Sequence, residues 1–137
     1  MNLSNTAQYA IRVLSYMAVN ESVIYTTSEI VSKLNLSDKY LKRLMTNLSK
    51  AGLISSIQGR YGGYKFQKSP DTIFLIDIIG SVENFEKYEG CVLGFSMCSD
   101  ENPCALHHKW EHVQSEISDL FHSVTLSQIQ TEPNMKF

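Results

Sequence analysis

Thr26-Thr27-Ser28-Glu29-Ile30-Val31-Ser32-Lys33-Leu34-Asn35-Leu36-Ser37-Asp38-Lys39-Tyr40-Leu41-Lys42-Arg43-Leu44-Met45-Thr46-Asn47-Leu48-Ser49-Lys50-Ala51-Gly52 is the stretch whose reading decides the fold. Thr26 to Glu29 has the form of a capping box, in which the threonine hydroxyl meets the backbone N–H near Glu29 and the glutamate reaches back. The short helix that follows buries Ile30, Val31 and Leu34. Asn35-Leu36 makes a tight connection, and Ser37 caps a second helix that runs to about Ala51 and stops at Gly52. Leu41, Leu44, Met45 and Leu48 face inward on this helix, and Lys39, Lys42, Arg43, Thr46 and Asn47 face outward. Two short helices joined by a tight turn, the second of them basic, form a helix-turn-helix.

Downstream, Leu53 to Ile57 reads as a strand, Gln58-Gly59-Arg60-Tyr61-Gly62-Gly63 as a glycine-rich turn, and Tyr64-Lys65-Phe66 as the return strand. Beside a basic helix this hairpin is a wing. Its glycines allow close backbone approach, and Arg60 is suited to a minor groove. Upstream, Ala7, Ala10, Ile11, Leu14, Tyr16, Met17 and Ala18 recur at helical spacing from Ser4 to Val19, with Ser4 as N-cap.

The formal charge of −2 over 137 residues conceals an asymmetry. From Lys33 to Lys68 there are eight Lys and Arg against one acid, Asp38, a local charge of +7 that leaves −9 on the rest. A basic block in an acidic chain has the footprint of a phosphate-binding surface, although such a run also occurs on a solvated face. The sequence predicts 1–70 as a winged helix-turn-helix DNA-binding domain and 71–137 as a sensor loop with dimerisation helices. The fold class is mostly α with a small β-wing.

After Ser69-Pro70-Asp71, Ile73, Leu75, Ile76, Ile78, Ile79 and Val82 mark an apolar helix that carries Asp77. A helix is expected from Pro103 onward, with a seam at Trp110, Val113, Ile117, Leu120 and Val124. The seam either folds back on its own domain or meets a second copy, and the small size of the chain favours the second. The tail from Thr131 to Phe137 is expected to fray. No apolar run is long enough to span a bilayer and the N-terminus lacks the pattern of a signal peptide, so a cytoplasmic location is expected.

Cys91, Cys98, Cys104 and His107 follow a C-x6-C-x5-C-x2-H spacing within a segment rich in Gly, Ser, Asn, Asp and Pro. That is loop composition, so no helix or strand face accounts for burying the thiols. Thiolates suit iron–sulfur clusters, Zn or Cu(I), and the loop can wrap one centre before its last two ligands enter a helix. The spacing is neither that of a zinc ribbon nor that of a bacterial ferredoxin. Redox-active thiols and inert thiols are the other readings.

Leu36-Ser37-Asp38-Lys39-Tyr40-Leu41, Ala51-Gly52-Leu53-Ile54 and Gly59-Arg60-Tyr61-Gly62-Gly63-Tyr64 resemble the winged-helix family of bacterial regulators of the IscR/NsrR/CymR type. The opening residues, Tyr9-Ala10-Ile11-Arg12, Leu75-Ile76-Asp77-Ile78, the cysteine loop and Thr125-Leu126-Ser127-Gln128-Ile129 extend the resemblance over nearly the whole chain. It implies a homodimer on a pseudo-palindromic operator of double-stranded DNA, with recognition helices in successive major grooves and wings near the minor groove. DNA contacts then fall to Ser37, Lys39, Tyr40, Lys42, Arg43, Asn47, Gln58, Arg60 and Gly62. Tyr40 serves equally well as packing.

The resemblance further implies an iron–sulfur cluster on Cys91, Cys98 and Cys104. In IscR-like members a histidine completes a 2Fe–2S site, which maps to His107 with His108 as a neighbouring alternative. In NsrR-like members a carboxylate from the other subunit serves a 4Fe–4S cluster; Gln8 stands at that position and offers no anionic oxygen. Gln58 in place of an arginine and Asp38 within the basic helix also depart from the family pattern. The expected protein is a dimeric, non-enzymatic transcription regulator, a repressor, that senses through the cluster. A cluster-free thiol switch and a small redox carrier are the rivals, and the carrier has no use for the wing.

Overall fold

In the computed structural model, which describes residues 2–131, the chain folds as α1 (Asn5–Met17), α2 (Thr27–Leu34), α3 (Asp38–Lys50), β1 (Ile54–Ile57), β2 (Gly63–Phe66), α4 (Leu75–Val82), α5 (His107–Ser123) and α6 (Leu126–Thr131). Short 3-10 turns lie at Ala18–Asn20, Pro70–Thr72 and Phe85–Tyr88. The expected fraying of the tail concerns residues that, from 132 on, lie outside those described.

Each helix of the helix-turn-helix starts where its capping chemistry places it. The Thr26 hydroxyl accepts the Glu29 N–H at 3.2 Å while the Glu29 carboxylate accepts the Thr26 N–H at 2.7 Å. Asn35 closes α2 in the left-handed region at φ 53°, a conformation that asparagine tolerates. The Ser37 hydroxyl then caps α3. Leu41, Leu44, Met45 and Leu48 are buried against Val13, Leu14, Met17 and Ile30, as the apolar spacing predicts.

In the hairpin Ile54 pairs with Phe66 and Ile57 with Gly63. Two reciprocal 2.8 Å bonds between Tyr25 and Tyr64 clip the wing to the segment before α2, so the hairpin is fixed relative to the helix-turn-helix. A Cβ on Gly63 would fall 2.4 Å from the Tyr25 carbonyl oxygen, and one on Gly62 would fall 2.1 Å from that of Ile57. The Gly-Gly pair is thus a requirement of close backbone approach.

The core does not end near residue 70. Ile73, Ile78 and Leu126 are fully buried in the same cluster as the α3 leucines, and Leu126 N–H donates to the Ile73 carbonyl at 2.8 Å. A second cluster joins Ala7 of α1 to Ile79 and Phe121, with Ile117, Phe85 and Tyr88 packed on it.

The long helix departs from expectation in two ways. It begins at His107 rather than near Pro103, because the chain at Leu106 is not helical and the Cys104 N–H is directed to the Cys98 sulfur at 3.4 Å. Its apolar seam is also divided. Ile117 packs on the second cluster and Val124 lies beyond the helix in an extended conformation, while Val113 and Leu120 are 41% and 51% exposed.

Candidate nucleic-acid interface and metal centre

Lys39, Lys42, Arg43 and Thr46 lie exposed along the outer face of α3, with Asn47 half-buried at its edge. Asp38 does not interrupt this surface as an unpaired acid, since its carboxylate holds the Lys42 ammonium at 2.9 Å. The pairing shifts the Lys42 pKa upward, first through the hydrogen bond. Between α3 and the wing runs an open groove of about 610 Å³, lined by Lys42, Thr46, Lys50, Gln58, Gly59 and Gly62 among others. At the wing, Arg60 is exposed with its guanidinium 5.7 Å from the Tyr61 ring centre, and the Gln58 amide donates to Ser56.

Three of the sequence-derived contacts have structural duties. The Ser37 hydroxyl accepts the Tyr40 N–H at 3.2 Å as the α3 cap. Tyr40 is half-buried with its ring edge-on to Tyr9, centroids 5.8 Å apart, and its hydroxyl 3.4 Å from that of Thr6. It braces α3 on α1. Gly62 is needed for the turn itself, as its close approach to Ile57 requires.

The cysteine loop leaves the 3-10 turn at Phe85–Tyr88 and is tied at its base to α5. Trp110 Nε1 donates to the Gly90 carbonyl at 2.9 Å, and Gln114 Nε2 donates to the same oxygen and to that of Tyr88, each at 3.1 Å. Above this tether the sulfurs of Cys91, Cys98 and Cys104 all lie within 4.8 Å of one another. Cys91 and Cys104 are the near pair, 3.6 Å apart. The Cys91 thiol pKa is lowered to about 7, foremost by the backbone N–H of Phe95 and further by that of Leu93 and by the neighbouring thiols.

His107 Nδ1 lies 3.1 Å from the Cys98 sulfur, and Nε2 lies 3.0 Å from an Asp100 oxygen. The histidine therefore adjoins the thiols although it sits at the first residue of α5 and Cys104 sits in the preceding turn. Its neighbour His108 is exposed and falls on the carboxylate side, grouped with Asp100 and Glu111. Gln8 uses its amide on the Leu3 carbonyl at 2.7 Å. Three soft donors converging with one imidazole nitrogen suit a thiophilic metal centre or an iron–sulfur cluster.

A basic helix-turn-helix with a clipped wing and a thiol-rich loop is matched end to end by one family profile, Rrf2, described as "Iron-dependent Transcriptional regulator", over residues 3–132. The chain belongs to the Rrf2 family. Rrf2 proteins are DNA-binding transcription regulators, not enzymes. A putative HTH-type transcriptional regulator of Aquifex aeolicus is 37% identical over 131 residues, covering 94% of this chain and 91% of the relative. The regulator IscR of Vibrio parahaemolyticus is 27% identical, covering 96% and 79%.

Among solved structures, the global cysteine regulator CymR of B. subtilis superimposes with a TM-score of 0.78 at 28% identity, covering 96% of this chain and 97% of that one. T. potens IscR does so with a TM-score of 0.76 at 26% identity, covering 100% and 93%. These Rrf2 relatives support the mostly helical fold with its two-stranded wing. Among the described residues no helix is long and apolar enough to cross a membrane.

Sequence reasoning missed Asp100, which comes to His107 only through a turn, and it missed the Trp110–Gly90 tether by assigning Trp110 wholly to the seam. The signal for Asp100 was its place between two of the converging cysteines; that for the tether was an indole N–H, which requires an acceptor when it packs.

Proposed function

We propose that this Rrf2 protein is a dimeric repressor whose grip on a pseudo-palindromic operator depends on an iron–sulfur cluster held by Cys91, Cys98, Cys104 and His107. The observation that carries this reading is the convergence of the three sulfurs within 4.8 Å, with His107 Nδ1 on one of them. The donor set fits a 2Fe–2S cluster with one imidazole ligand better than a site completed by Gln8, whose amide oxygen carries no charge and whose Nε2 donates to the Leu3 carbonyl. When bound, the cluster supplies a redox- and iron-sensitive link between the thiols. The chain's own part is mechanical: Gly90 and α5 fix the base of the loop, and α5 leads through Val124 into the core that supports α3. Ordering the loop biases the setting of the two reading heads. Anaerobic purification tests this: brown protein whose operator affinity changes when the colour is bleached supports it, and colourless protein with intact operator binding overturns it.

A thiol switch is the second reading, favoured by the 3.6 Å approach of Cys91 and Cys104. There a peroxide would accept two electrons and two protons as the two thiols join. Loss of operator binding on oxidation of colourless protein, reversed by a dithiol, selects it.

For the DNA face, Arg43→Ala is the informative substitution, since Lys42 shares its charge with Asp38 whereas Arg43 extends outward. Its operator affinity is expected to fall by about 1–3 kcal/mol if it reads a base edge, or the salt slope to drop by about one if it meets a phosphate. Fluorescence anisotropy across a salt series checks both, and unchanged values remove Arg43 from the interface.

For the dimer, Val113 and Leu120 are one heptad apart on the exposed side of α5. Val113→Glu with Leu120→Glu is expected to give a folded monomer by light scattering and circular dichroism. Ile117→Glu should instead unfold the second cluster, and a double variant that stays dimeric places the interface elsewhere.

A further inference from the structure

We infer that Asp100 is a positioning residue, whose carboxylate fixes the His107 ring so that Nδ1 presents its lone pair to the thiols. The inference deepens the reading of the cysteine loop as a cluster site and rests on it. Asp100 lies at the tip of a tight turn closed by two reciprocal bonds, Asn102 N–H to Ser99 at 3.0 Å and Ser99 N–H to Asn102 at 3.3 Å. The Asn102 amide adds a bond to the Met97 carbonyl at 3.4 Å. The turn lies between Cys98 and Cys104, so the segment that spaces two of the thiols also carries the carboxylate to His107.

An ionised carboxylate only accepts hydrogen bonds, and a neutral imidazole has one donor and one acceptor nitrogen. With Asp100 3.0 Å from Nε2, the ring proton belongs on Nε2. Nδ1 is then the acceptor, and at 3.1 Å it takes the S–H of Cys98. When that thiol proton departs on ligation, the Nδ1 lone pair is freed on the side of the ring that faces the thiols, beside the Cys98 sulfur. Without Asp100 the ring can turn, or place its proton on Nδ1 toward a Cys98 thiolate, and both arrangements withdraw the lone pair. Outer partners of this kind orient ligating histidines and raise their basicity. His108 does not substitute, because its ring stands edge-on to His107 at 5.1 Å on the outer side.

The test uses 15N-labelled, reduced, metal-free protein at a pH where the ring is neutral, with long-range proton–nitrogen correlations of His107. Wild type is expected to show a protonated Nε2 and an unprotonated Nδ1. Asp100→Asn keeps an acceptor oxygen and should retain the pattern, whereas Asp100→Ala should move toward mixed tautomers with an unchanged circular dichroism spectrum. A proton on Nδ1 in wild type, or a pattern indifferent to Asp100→Ala, overturns the inference. In protein reconstituted anaerobically with iron and sulfide, Asp100→Ala should hold its cluster about 10- to 100-fold more weakly, with Asp100→Asn closer to wild type. Equal retention in Asp100→Ala also overturns it. If wild type takes up no cluster, the reading of the loop as a cluster site fails, and the tautomer measurement still decides the role of Asp100.

Discussion

Cys98→Ala protein purified without oxygen is expected to be colourless, with visible absorbance at background, because it loses both a thiolate and the partner of His107 Nδ1. The Cys98 sulfur is central to the local network, lying 3.1 Å from His107 and accepting the Cys104 N–H at 3.4 Å. Cys91→Ala and Cys104→Ala should be equally colourless, since each removes one of the three thiolates that the donor set offers. His107→Ala is expected to differ in kind, giving a shifted or short-lived spectrum as water or an exogenous thiol takes its place. Gln8→Ala should match wild type. Absorbance and EPR spectra of the reconstituted variants check the series. Colour retained in Cys98→Ala would exclude that thiol, and a His107→Ala spectrum identical to wild type would exclude the imidazole.

Leu126→Ala is expected to cost about 2–5 kcal/mol, a large share of the roughly 5–15 kcal/mol that holds a domain together. Leu126 is fully buried among residues of α1, α3 and α4, so its truncation leaves a cavity beneath α3 rather than at the end of the chain. Urea unfolding followed by tryptophan fluorescence and by circular dichroism provides the check. Trp110 reports on α5, and helicity reports on the whole. Coincident transitions, both moved to lower urea, are expected. If the tryptophan transition alone moves, residues beyond 70 form a separate unit.

The helix-turn-helix and wing were legible because their signals are local. Thr26 with Glu29, Asn35, Ser37 and the Gly62-Gly63 pair each act within a few residues, and the structure uses them where the sequence places them. The thiols were legible for the same reason, as their composition excluded a regular face. The role of Leu126 was not, since α6 is too short for periodicity to register, although Thr125 and Gln128 cap it through the bond from Thr125 N–H to the Gln128 side-chain Oε1 at 2.8 Å. The division of the α5 seam was equally hidden. A spacing of three and four residues marks an apolar stripe without saying that Phe85 and Tyr88 return to cover its middle. For Tyr40 the sequence left DNA contact and packing both open, and the structure shows the packing, with its ring edge-on to Tyr9.

The Gly90 carbonyl, held by Trp110 and Gln114, makes the cysteine segment a closed ring with its seam at the foot. Closing such a ring is an entropic cost that grows only with the logarithm of its length, about 0.6 kcal/mol for each doubling. A residue added between Cys91 and Cys98 therefore changes the energy of closure by a small fraction of that figure, while the foot stays pinned. Segment length is thus a weak lever on the entropy of closure, whereas the convergence of the three sulfurs within 4.8 Å and the register of α5 depend on placement.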